Sequence, residues 1–312
     1  MYAIIDLGSN SFHMLVATLR EDSQVDIVER YSRKVQLGSG IGIDGRIAQD
    51  AIVRGLDSVE EFVATLKRFP IKRKAILGTN ALRQASNAGD FISQASARGL
   101  QIDVISGEQE AALIYRGVTE YINDQTHRNM VVDIGGGSTE LANGTGRQLH
   151  LARSLALGCV TWRDRFFSDG FNASSFSQAL AEARQALGPT AQAFAKLGWD
   201  QAYASSGTAK LLSGISSALG DREGLIHKDL LQDLQARAMA AGTVDALDIP
   251  GLKSHRRDVL VPGLSILAAV FEELALDHLQ YSRTAVREGM LYALLAEDHV
   301  KFQNFQLYPR TF

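Results

Sequence analysis

Two stretches of the sequence share one pattern, AIIDLGSNSFHML at residues 3–15 and VVDIGGGSTELAN at residues 131–143. In each, an apolar run leads into Asp, an apolar residue and Gly, continues through small polar residues, and returns to an apolar run. Apolar runs separated by a short Gly/Ser/Asn turn are typical of a β-hairpin. Because the Asp and the Gly keep the same spacing both times, the pattern favours two domains of like topology over two unrelated turns.

Strands and helices alternate outward from these two hairpins. Apolar residues at helical spacing predict a helix over residues 48–69, short apolar runs predict strands at 74–77 and 102–105, and a helix is expected from about Glu108 to Tyr121. The same reasoning predicts strands at 11–18, 25–31, 130–133 and 201–204, a loop at 36–45, and helices that open at 81–85 and span 209–219. The alternation indicates an α/β protein. The polar stretch 123–129 is the best candidate linker, which gives an N-terminal domain at 1–122 and a C-terminal domain at 129–312, with the final helix able to pack back on the first.

Composition excludes several classes of function. The 312 residues carry a net charge of −3, so the chain lacks the basic surplus of a general nucleic-acid binder. One cysteine excludes an intramolecular disulfide framework, a cysteine-based zinc site and an iron–sulfur cluster. The start of the chain does not resemble a signal peptide and no long apolar run is present, so we expect a cytoplasmic protein. Neither a GxSxG elbow nor a GxxxxGK[ST] loop occurs.

The two Asp-x-Gly turns have a chemistry that suits phosphate. Glycine lets the backbone approach a phosphate closely, successive N–H groups can form an anion nest, and a carboxylate at the strand end can hold Mg²⁺. The alternative is two hairpin turns with capping Asp residues. Ser206-Gly207-Thr208 resembles a third loop of this kind at a helix start, although an ordinary strand-to-helix turn explains it equally well.

Two glutamates and several basic residues are further candidates. Glu110, in the first turn of a helix, could cap that helix or orient and deprotonate a water, and spacing alone favours the cap. Glu140 carries the same ambiguity. Arg83 follows a strand-to-helix junction suited to phosphate oxygens. The remaining basic candidates, each of which is by itself more often plain surface charge, are Arg33, Lys34, Arg256, Arg257 and Arg287.

Taken together, these motifs resemble the exopolyphosphatase/guanosine pentaphosphate phosphatase (Ppx/GppA) family of the actin–hexokinase–Hsp70 superfamily. The resemblance extends over essentially the whole chain in the expected order, and SFHML and GCVTW are most similar to the proteobacterial guanosine pentaphosphatase branch. The matching stretches are AIIDLGSNSFHMLV, RKVQLGSGI, GTNALRQASNAGDF, VISGEQEAALIYRGV, VVDIGGGSTEL, SLALGCVTW, ASSGTAK, VPGLSILAAVFEEL and VREGMLYALL.

The resemblance implies a fold and a reaction. The fold would be two actin-like (ribonuclease H-like) α/β domains with a cleft between them. The reaction would be Mg²⁺-dependent hydrolysis of a terminal phosphoanhydride of guanosine pentaphosphate or polyphosphate, with K⁺ as a further candidate cation. In the family's motifs, Glu110 matches the catalytic glutamate and Glu140 the second carboxylate. Asp6, Asp133 and Glu140 would bind the metal. The phosphates would be bound by Asp6, Gly8, Ser9, Asn10, Ser11, Arg83, Gly135, Gly136, Gly137, Ser138, Ser206, Gly207 and Thr208. Arg33, Lys34, Arg256, Arg257 and Arg287 would contact the nucleotide or distal phosphates.

The chain also departs from the family pattern. Gln109 replaces a carboxylate often found just before the catalytic Glu, and Thr284 to Val286 replace Gly-Ala-Leu. Many relatives continue past the position of Phe312 with a helical half, so we expect either a short form or a fragment. The competing hypotheses are an ATP-dependent kinase or ATPase of the same superfamily and a non-catalytic binder of alarmone nucleotide or polyphosphate. The expected partner is an anionic small molecule or polyphosphate, with no DNA and no membrane, in a monomer or a homodimer.

Overall fold

A computed structural model describes residues 1–19, 25–221 and 223–295. The chain divides into two compact units. Within the described residues, unit 1 comprises 1–19, 25–117 and 286–295, and unit 2 comprises 118–221 and 223–285. The part of the expected C-terminal domain beyond residue 295 lies outside the described residues.

Unit 1 is built on a five-stranded sheet of order β3-β2-β1-β4-β5. β1, β2 and β3 are antiparallel neighbours, whereas β4 and β5 run parallel to β1. Gly8-Ser9-Asn10 makes the first turn, so Leu7 lies opposite Phe12. The elements are β1 (Tyr2–Leu7), β2 (Ser11–Leu19), β3 (Val25–Lys34), α1 (Gln49–Leu66), β4 (Arg73–Gly78), α2 (Asn80–Gln84), α3 (Ala88–Ala97), β5 (Asp103–Val104), α4 (Gly107–Ile122, whose last turn belongs to unit 2) and α10 (Val286–Leu295).

Each face of this sheet is covered by helices. Ile5 and Leu7 point into a core that α1 and α3 close, whereas Ile4 points into a second core shared with α4 and α10. Side chains alternate between the faces of a strand, so Asp6 shares the face of Ile4. On that face α10 approaches α4 so closely that a Cβ on Gly289 would overlap the carbonyl oxygen of Leu113. Helix α4, which carries Glu110, is therefore packed against α10 with backbone-to-backbone contact.

Unit 2 repeats this topology with one strand added. Its sheet has the order β10-β11-β9-β6-β7-β8, in which β6, β7 and β8 are antiparallel neighbours and β9 runs parallel to β6 on the other side. β6 thus takes the place of β1, and β9 that of β4. The elements are β6 (Arg128–Ile134), β7 (Thr139–Thr145), β8 (Gln148–Leu155), α5 (Cys159–Phe166), α6 (Ala173–Leu197), β9 (Gln201–Ser205), α7 (Ser206–Ala218), β10 (Ile226–His227), α8 (Lys228–Ala241), a 3₁₀ turn (Ser254–Arg256), α9 (Arg257–Glu273) and β11 (His278–Tyr281).

The predicted α/β class is confirmed, and both predicted hairpins are present. Three local expectations are corrected. The region expected to open one helix at 81–85 forms two, because Ala85 adopts an extended conformation that ends α2. β3 continues to Lys34 because it stays paired with β2. α7 begins at Ser206, three residues earlier than expected. No helix within the described residues has the length and apolarity to cross a bilayer.

The polar segment between α4 and β6 forms a turn inside unit 2. The Asp124 carboxylate accepts bonds from the backbone N–H groups of Thr126 and His127. Bonds to Thr126, from its backbone and its hydroxyl, hold the pKa of Asp124 well below its usual range. The carboxylate therefore organises a connection that the sequence marks only as polar.

Candidate active site

The first Asp-x-Gly loop joins β1 to β2 and rests on a second loop. The backbone N–H groups of Val35 and Gln36 donate to the carbonyl of Asn10, at 3.2 and 2.9 Å, and that of Gly38 donates to the carbonyl of Ser9 at 2.8 Å. A Cβ on Gly38 would lie 2.9 Å from the Ser9 Cβ, so only glycine allows this approach. This second loop, Val35 to Gly38, which we call the backing loop, thus holds the carbonyl groups of Ser9 and Asn10 in place. None of Gly8, Ser9 and Asn10 has the positive φ that an alternating anion nest would use.

Asp6, Gly8 and Ser11 complete this first loop. Asp6 is the penultimate residue of β1 and is buried, opposite His13 of β2. A Cβ on Gly8 would approach the carbonyl oxygen of Ser11 to 3.0 Å. Lys34 pairs with Ser11 across β2 and β3, which places one predicted basic residue beside the loop.

Glu110 lies in a buried cluster at the start of α4. Its Oε2 accepts from Nη1 and Nη2 of Arg83 at 3.2 and 3.3 Å, and Arg83 Nη1 also donates to the carbonyl of Ile105 at 2.8 Å. The side chains of Glu110 and Arg83 are only 11% and 23% exposed. We call Glu110, Arg83 and the Ile105 carbonyl the Glu110 cluster.

The structure separates the two interpretations of Glu110. Ser106 and Gln109 cap α4 reciprocally: the Ser106 N–H donates to Gln109 Oε1 at 2.7 Å, and the Gln109 N–H donates to Ser106 Oγ at 3.2 Å. This is a capping box, so the expectation that spacing favours Glu110 as the cap is wrong. Gln109, one of the departures from the family pattern, is thus half of this capping box.

In unit 2, Asp133 and Glu140 face each other across β6 and β7. Both are buried. The Ser205 hydroxyl of β9 donates to Asp133 Oδ2 at 2.5 Å, and the Ser154 hydroxyl of β8 donates to Glu140 Oε1 at 2.7 Å. These four residues, one from each of four adjacent strands, form what we call the Asp133 row.

The glycine loop after β6 is fixed by the start of α5. The N–H of Gly135 donates to the Ser138 carbonyl at 2.9 Å, and the N–H groups of Cys159 and Val160 donate to the carbonyls of Gly135 and Gly136. A Cβ on the residue before Cys159, Gly158, would overlap Gly136 and Gly137. The first turn of α5 therefore satisfies the carbonyls of the loop.

Cys159 itself is a buried group beside this loop. Burial raises the pKa of its thiol to about 11. At neutral pH the side chain is thus a neutral thiol, and it acts as a small apolar residue in contact with Val160 and Val259.

The third predicted loop is tied to the second. The Thr208 hydroxyl donates to the carbonyl of Ile134 at 3.2 Å. Ser206 adopts a left-handed backbone conformation with φ of 73°, where the chain turns from β9 into α7. Ser206-Gly207-Thr208 and the glycine loop are therefore neighbours at one edge of the unit 2 sheet.

Of the predicted basic residues, the structure places some beside the loops and others away from them. The Arg256 guanidinium lies against Gly207, since a Cβ on that glycine would be 2.9 Å from Nη1. Arg257 instead directs Nη1 to the carbonyl of Asp245 at 3.5 Å. In unit 1, Arg33 pairs with Glu61 of α1 at the exposed surface. Arg287 is the second residue of α10 and is partly exposed.

Ser154, Ser205 and Gly158 were missed by sequence reasoning. Ser205 and Ser154 lie in two of the stretches that resemble the family, but their contacts depend on strand register: that of β9 against β6, 72 positions apart in the chain at this contact, and that of β8 against β7. The role of Gly158 was missed for a similar reason, because it depends on how closely α5 approaches the glycine loop. The other departure, Thr284, is buried and its N–H donates to the Ser282 hydroxyl at 3.3 Å.

The residues present fit a hard divalent cation. Mg²⁺ prefers oxygen ligands and is commonly held by one or two carboxylates, water and substrate phosphates. Asp133 and Glu140 supply two adjacent carboxylates. In the described ranges no group of three or more His, Cys, Asp or Glu side chains could hold a metal.

Known proteins match this chain over most of its length. The model of the Ppx/GppA phosphatase family matches residues 15–298. The guanosine-5'-triphosphate,3'-diphosphate pyrophosphatase of Vibrio cholerae serotype O1 is 42% identical over 299 residues, which cover 95% of this chain and 60% of that protein. The protein of the same name from Vibrio parahaemolyticus is 41% identical over the same length. The chain thus spans 60% of the length of these curated relatives.

Solved structures of exopolyphosphatase and Ppx/GppA proteins have a similar fold. An exopolyphosphatase from Cytophaga hutchinsonii has a TM-score of 0.85 and 26% identity, with 95% of this chain and 98% of that chain covered. The Ppx/GppA enzyme of Aquifex aeolicus has a TM-score of 0.76 and 23% identity, with 94% and 98% covered, and shows the fold alone.

Proposed function

The chain belongs to the Ppx/GppA phosphatase family, and from that premise we propose that it is a phosphoanhydride hydrolase that releases the terminal phosphate of guanosine pentaphosphate, inorganic polyphosphate or both. The observation that carries the proposal is the Glu110 cluster. A buried carboxylate at a helix start is held by an arginine while other residues cap the helix. A glutamate that serves neither as the cap nor as surface charge is suited to chemistry.

Glu110 is proposed as the general base. It would orient the attacking water and accept its proton as the bond to the terminal phosphorus forms. Arg83 would hold the carboxylate in one orientation through its two donors to Oε2. A positioned base of this kind contributes about 10²–10⁴ in rate.

The loops are proposed to bind the phosphates. Phosphoryl transfer depends on positioning and on neutralisation of negative charge. The N–H groups of the loops at Gly8–Ser11 and Gly135–Ser138 would bind phosphate oxygens, with Lys34 and Arg256 beside the first and third loops. Because the backing loop and α5 engage carbonyls of these turns, the peptide groups are fixed before substrate binds.

Asp133 and Glu140 are proposed to hold Mg²⁺, and Asp6 is the corresponding carboxylate in unit 1. A bound Mg²⁺ would neutralise charge on the phosphate oxygens. Asp133 and Glu140 would contribute two carboxylates held in fixed positions. Asp6 is held at the end of β1, next to the first loop.

The names of the relatives frame the substrate. The Vibrio proteins are named for guanosine-5'-triphosphate,3'-diphosphate, and the Cytophaga structure is that of an exopolyphosphatase. The chain is 42% identical to the Vibrio cholerae protein and 26% identical to the Cytophaga exopolyphosphatase. We therefore propose guanosine pentaphosphate as the preferred substrate and polyphosphate as the second.

Phosphate release from guanosine pentaphosphate, long-chain polyphosphate and ATP, measured in parallel with Mg²⁺ and with EDTA, tests the proposal. We expect release from the first two, little from ATP, and loss of release in EDTA. ATP-dependent phosphorylation of an acceptor would instead support a kinase. Tight binding of either polyanion without hydrolysis would support a binder.

A further inference from the structure

The Asp133 row has an unusual composition. Across four adjacent strands it runs Ser205 on β9, Asp133 on β6, Glu140 on β7 and Ser154 on β8, with each residue directly opposite the next. Residues directly opposite each other across strands share a face of the sheet. The row therefore places a hydroxyl, two carboxylates and a hydroxyl side by side on one face.

This face is separate from the main core of unit 2. Val132 and Ile134, the neighbours of Asp133 along β6, both point into that core, and alternation along the strand turns Asp133 to the other side. Leu141 of the same core has the same relation to Glu140. The sheet thus supports the polar row from behind with packed apolar side chains.

We propose that Ser154 and Ser205 are positioning residues that hold Glu140 and Asp133 for a divalent cation. The inference rests on the cation site of the proposed function and adds two residues to it. Each hydroxyl donates to one carboxylate oxygen, Glu140 Oε1 or Asp133 Oδ2. Each bond fixes the rotation of the carboxylate, so that the orientation of its second oxygen is also fixed.

The energetics support this role. Like charges directly opposite on adjacent strands repel, and burial at 5% and 2% exposure for Asp133 and Glu140 strengthens that repulsion. A cation bound to both carboxylates relieves this repulsion, and the two donated hydrogen bonds orient the carboxylates and offset part of their charge. Hydrogen-bond partners of metal ligands commonly contribute about 10–100-fold to metal affinity.

The equivalent row of unit 1 lacks this arrangement. Asp6 lies opposite His13, His13 lies opposite Ser32, and Leu77 of β4 lies beside Asp6. The second carboxylate is thus replaced by an imidazole, and the hydroxyl of Ser205 by an aliphatic side chain. The same scaffold therefore supplies a pair of oriented carboxylates only in unit 2, and Ser32 supplies a matched control for Ser154.

Binding of Mn²⁺ alone to the full chain, followed by electron paramagnetic resonance of the free ion, tests the inference without catalysis. We expect Ser154→Ala and Ser205→Ala each to weaken Mn²⁺ binding by about 10–100-fold. Ser154→Thr retains the hydroxyl at a partly exposed position and should bind like the wild type. Ser32→Ala, which removes the equivalent hydroxyl of unit 1, should also leave binding unchanged.

Phosphate release at varied Mg²⁺ concentration completes the test. Ser154→Ala should need more Mg²⁺ for half-maximal rate and should approach the wild-type kcat at saturation. Unchanged Mn²⁺ affinity in both alanine variants, or no Mn²⁺ binding by the wild type, would overturn the inference. If the wild-type chain binds Mn²⁺, Ser154→Ala weakens that binding and the wild type releases no phosphate, the proposed function is refuted and the inference about the Asp133 row is supported.

Discussion

Replacement of Glu110 by Gln isolates the charge of the proposed base. The change keeps the size and shape of the side chain, and the capping box of Ser106 and Gln109 remains, so α4 still begins at the same residue. What is lost is the ionic part of the bonds from Arg83, at 3.2 and 3.3 Å. A hydrogen bond to a charged group contributes about 1.5–3 kcal/mol to stability, and the loss here is smaller because the amide oxygen still accepts.

This magnitude separates a catalytic effect from unfolding. Even at the lower limit of ordinary domain stability, about 5 kcal/mol, a loss of about 3 kcal/mol leaves roughly 97% of the protein folded. Unfolding therefore cannot reduce the rate measurably, whereas loss of the base should reduce kcat by about 10²–10⁴. A greater loss of stability would appear as a lower melting temperature in circular dichroism.

Glu108→Gln is the matched control. Glu108 lies in the same first turn of α4 and is exposed, so its replacement removes the same charge two residues away. The cost is about 0.3–1 kcal/mol of helix stability, and the rate of phosphate release should stay near that of the wild type. If Glu110→Gln keeps a rate within a few-fold of the wild type, or if both variants lose the same activity, Glu110 is not the base.

Three further outcomes follow from close contacts and burial. Gly289→Ala should destabilise unit 1 by about 1–3 kcal/mol or more, measured by urea unfolding, because its Cβ would overlap the Leu113 carbonyl; an unchanged midpoint would contradict the packing of α10 on α4. Ser106→Ala should cost about 0.5–2 kcal/mol through the lost cap, and a smaller loss in a Gln109→Ala background would confirm the reciprocal bonds. Because burial raises the pKa of Cys159 to about 11, its thiolate fraction at pH 8 is about 0.1%, against about 24% for an ordinary thiol. Its reaction with Ellman's reagent should therefore be over 100-fold slower in the native than in the urea-unfolded chain and should accelerate as pH rises toward 11, and rapid native reaction at pH 8 would refute the burial.

The parts of the fold that depend on local pattern could be predicted from the sequence. An apolar run, a Gly/Ser/Asn turn and a returning apolar run specify a hairpin because the turn residues and the alternation lie within a few residues of one another. Both hairpins were found this way. The capping box was also within reach, since Ser106 and Gln109 have the Ser-x-x-Gln spacing of that motif.

The contacts that complete the candidate site could not be predicted. Ser205 lies 72 positions from Asp133 in the chain, and the register of two parallel strands joined by a long crossover is fixed only when the whole sheet packs. The need for glycine at positions 158 and 289 could not be predicted either, because it depends on which backbone segment packs against each of them. Local pattern therefore indicated where the loops form, and tertiary packing decided which side chains support them.

The two sheets show how one scaffold can carry different chemistry. In both, the first strand ends in an Asp-x-Gly turn and the second returns antiparallel, so the residue seven positions after the Asp always lies opposite it. That position holds His13 in unit 1 and Glu140 in unit 2. An imidazole beside a carboxylate can share a proton with it, whereas two facing carboxylates either share a proton or have their charge balanced by a cation. A single residue at an equivalent position thus gives unit 2 a pair of facing carboxylates where unit 1 has a carboxylate facing an imidazole.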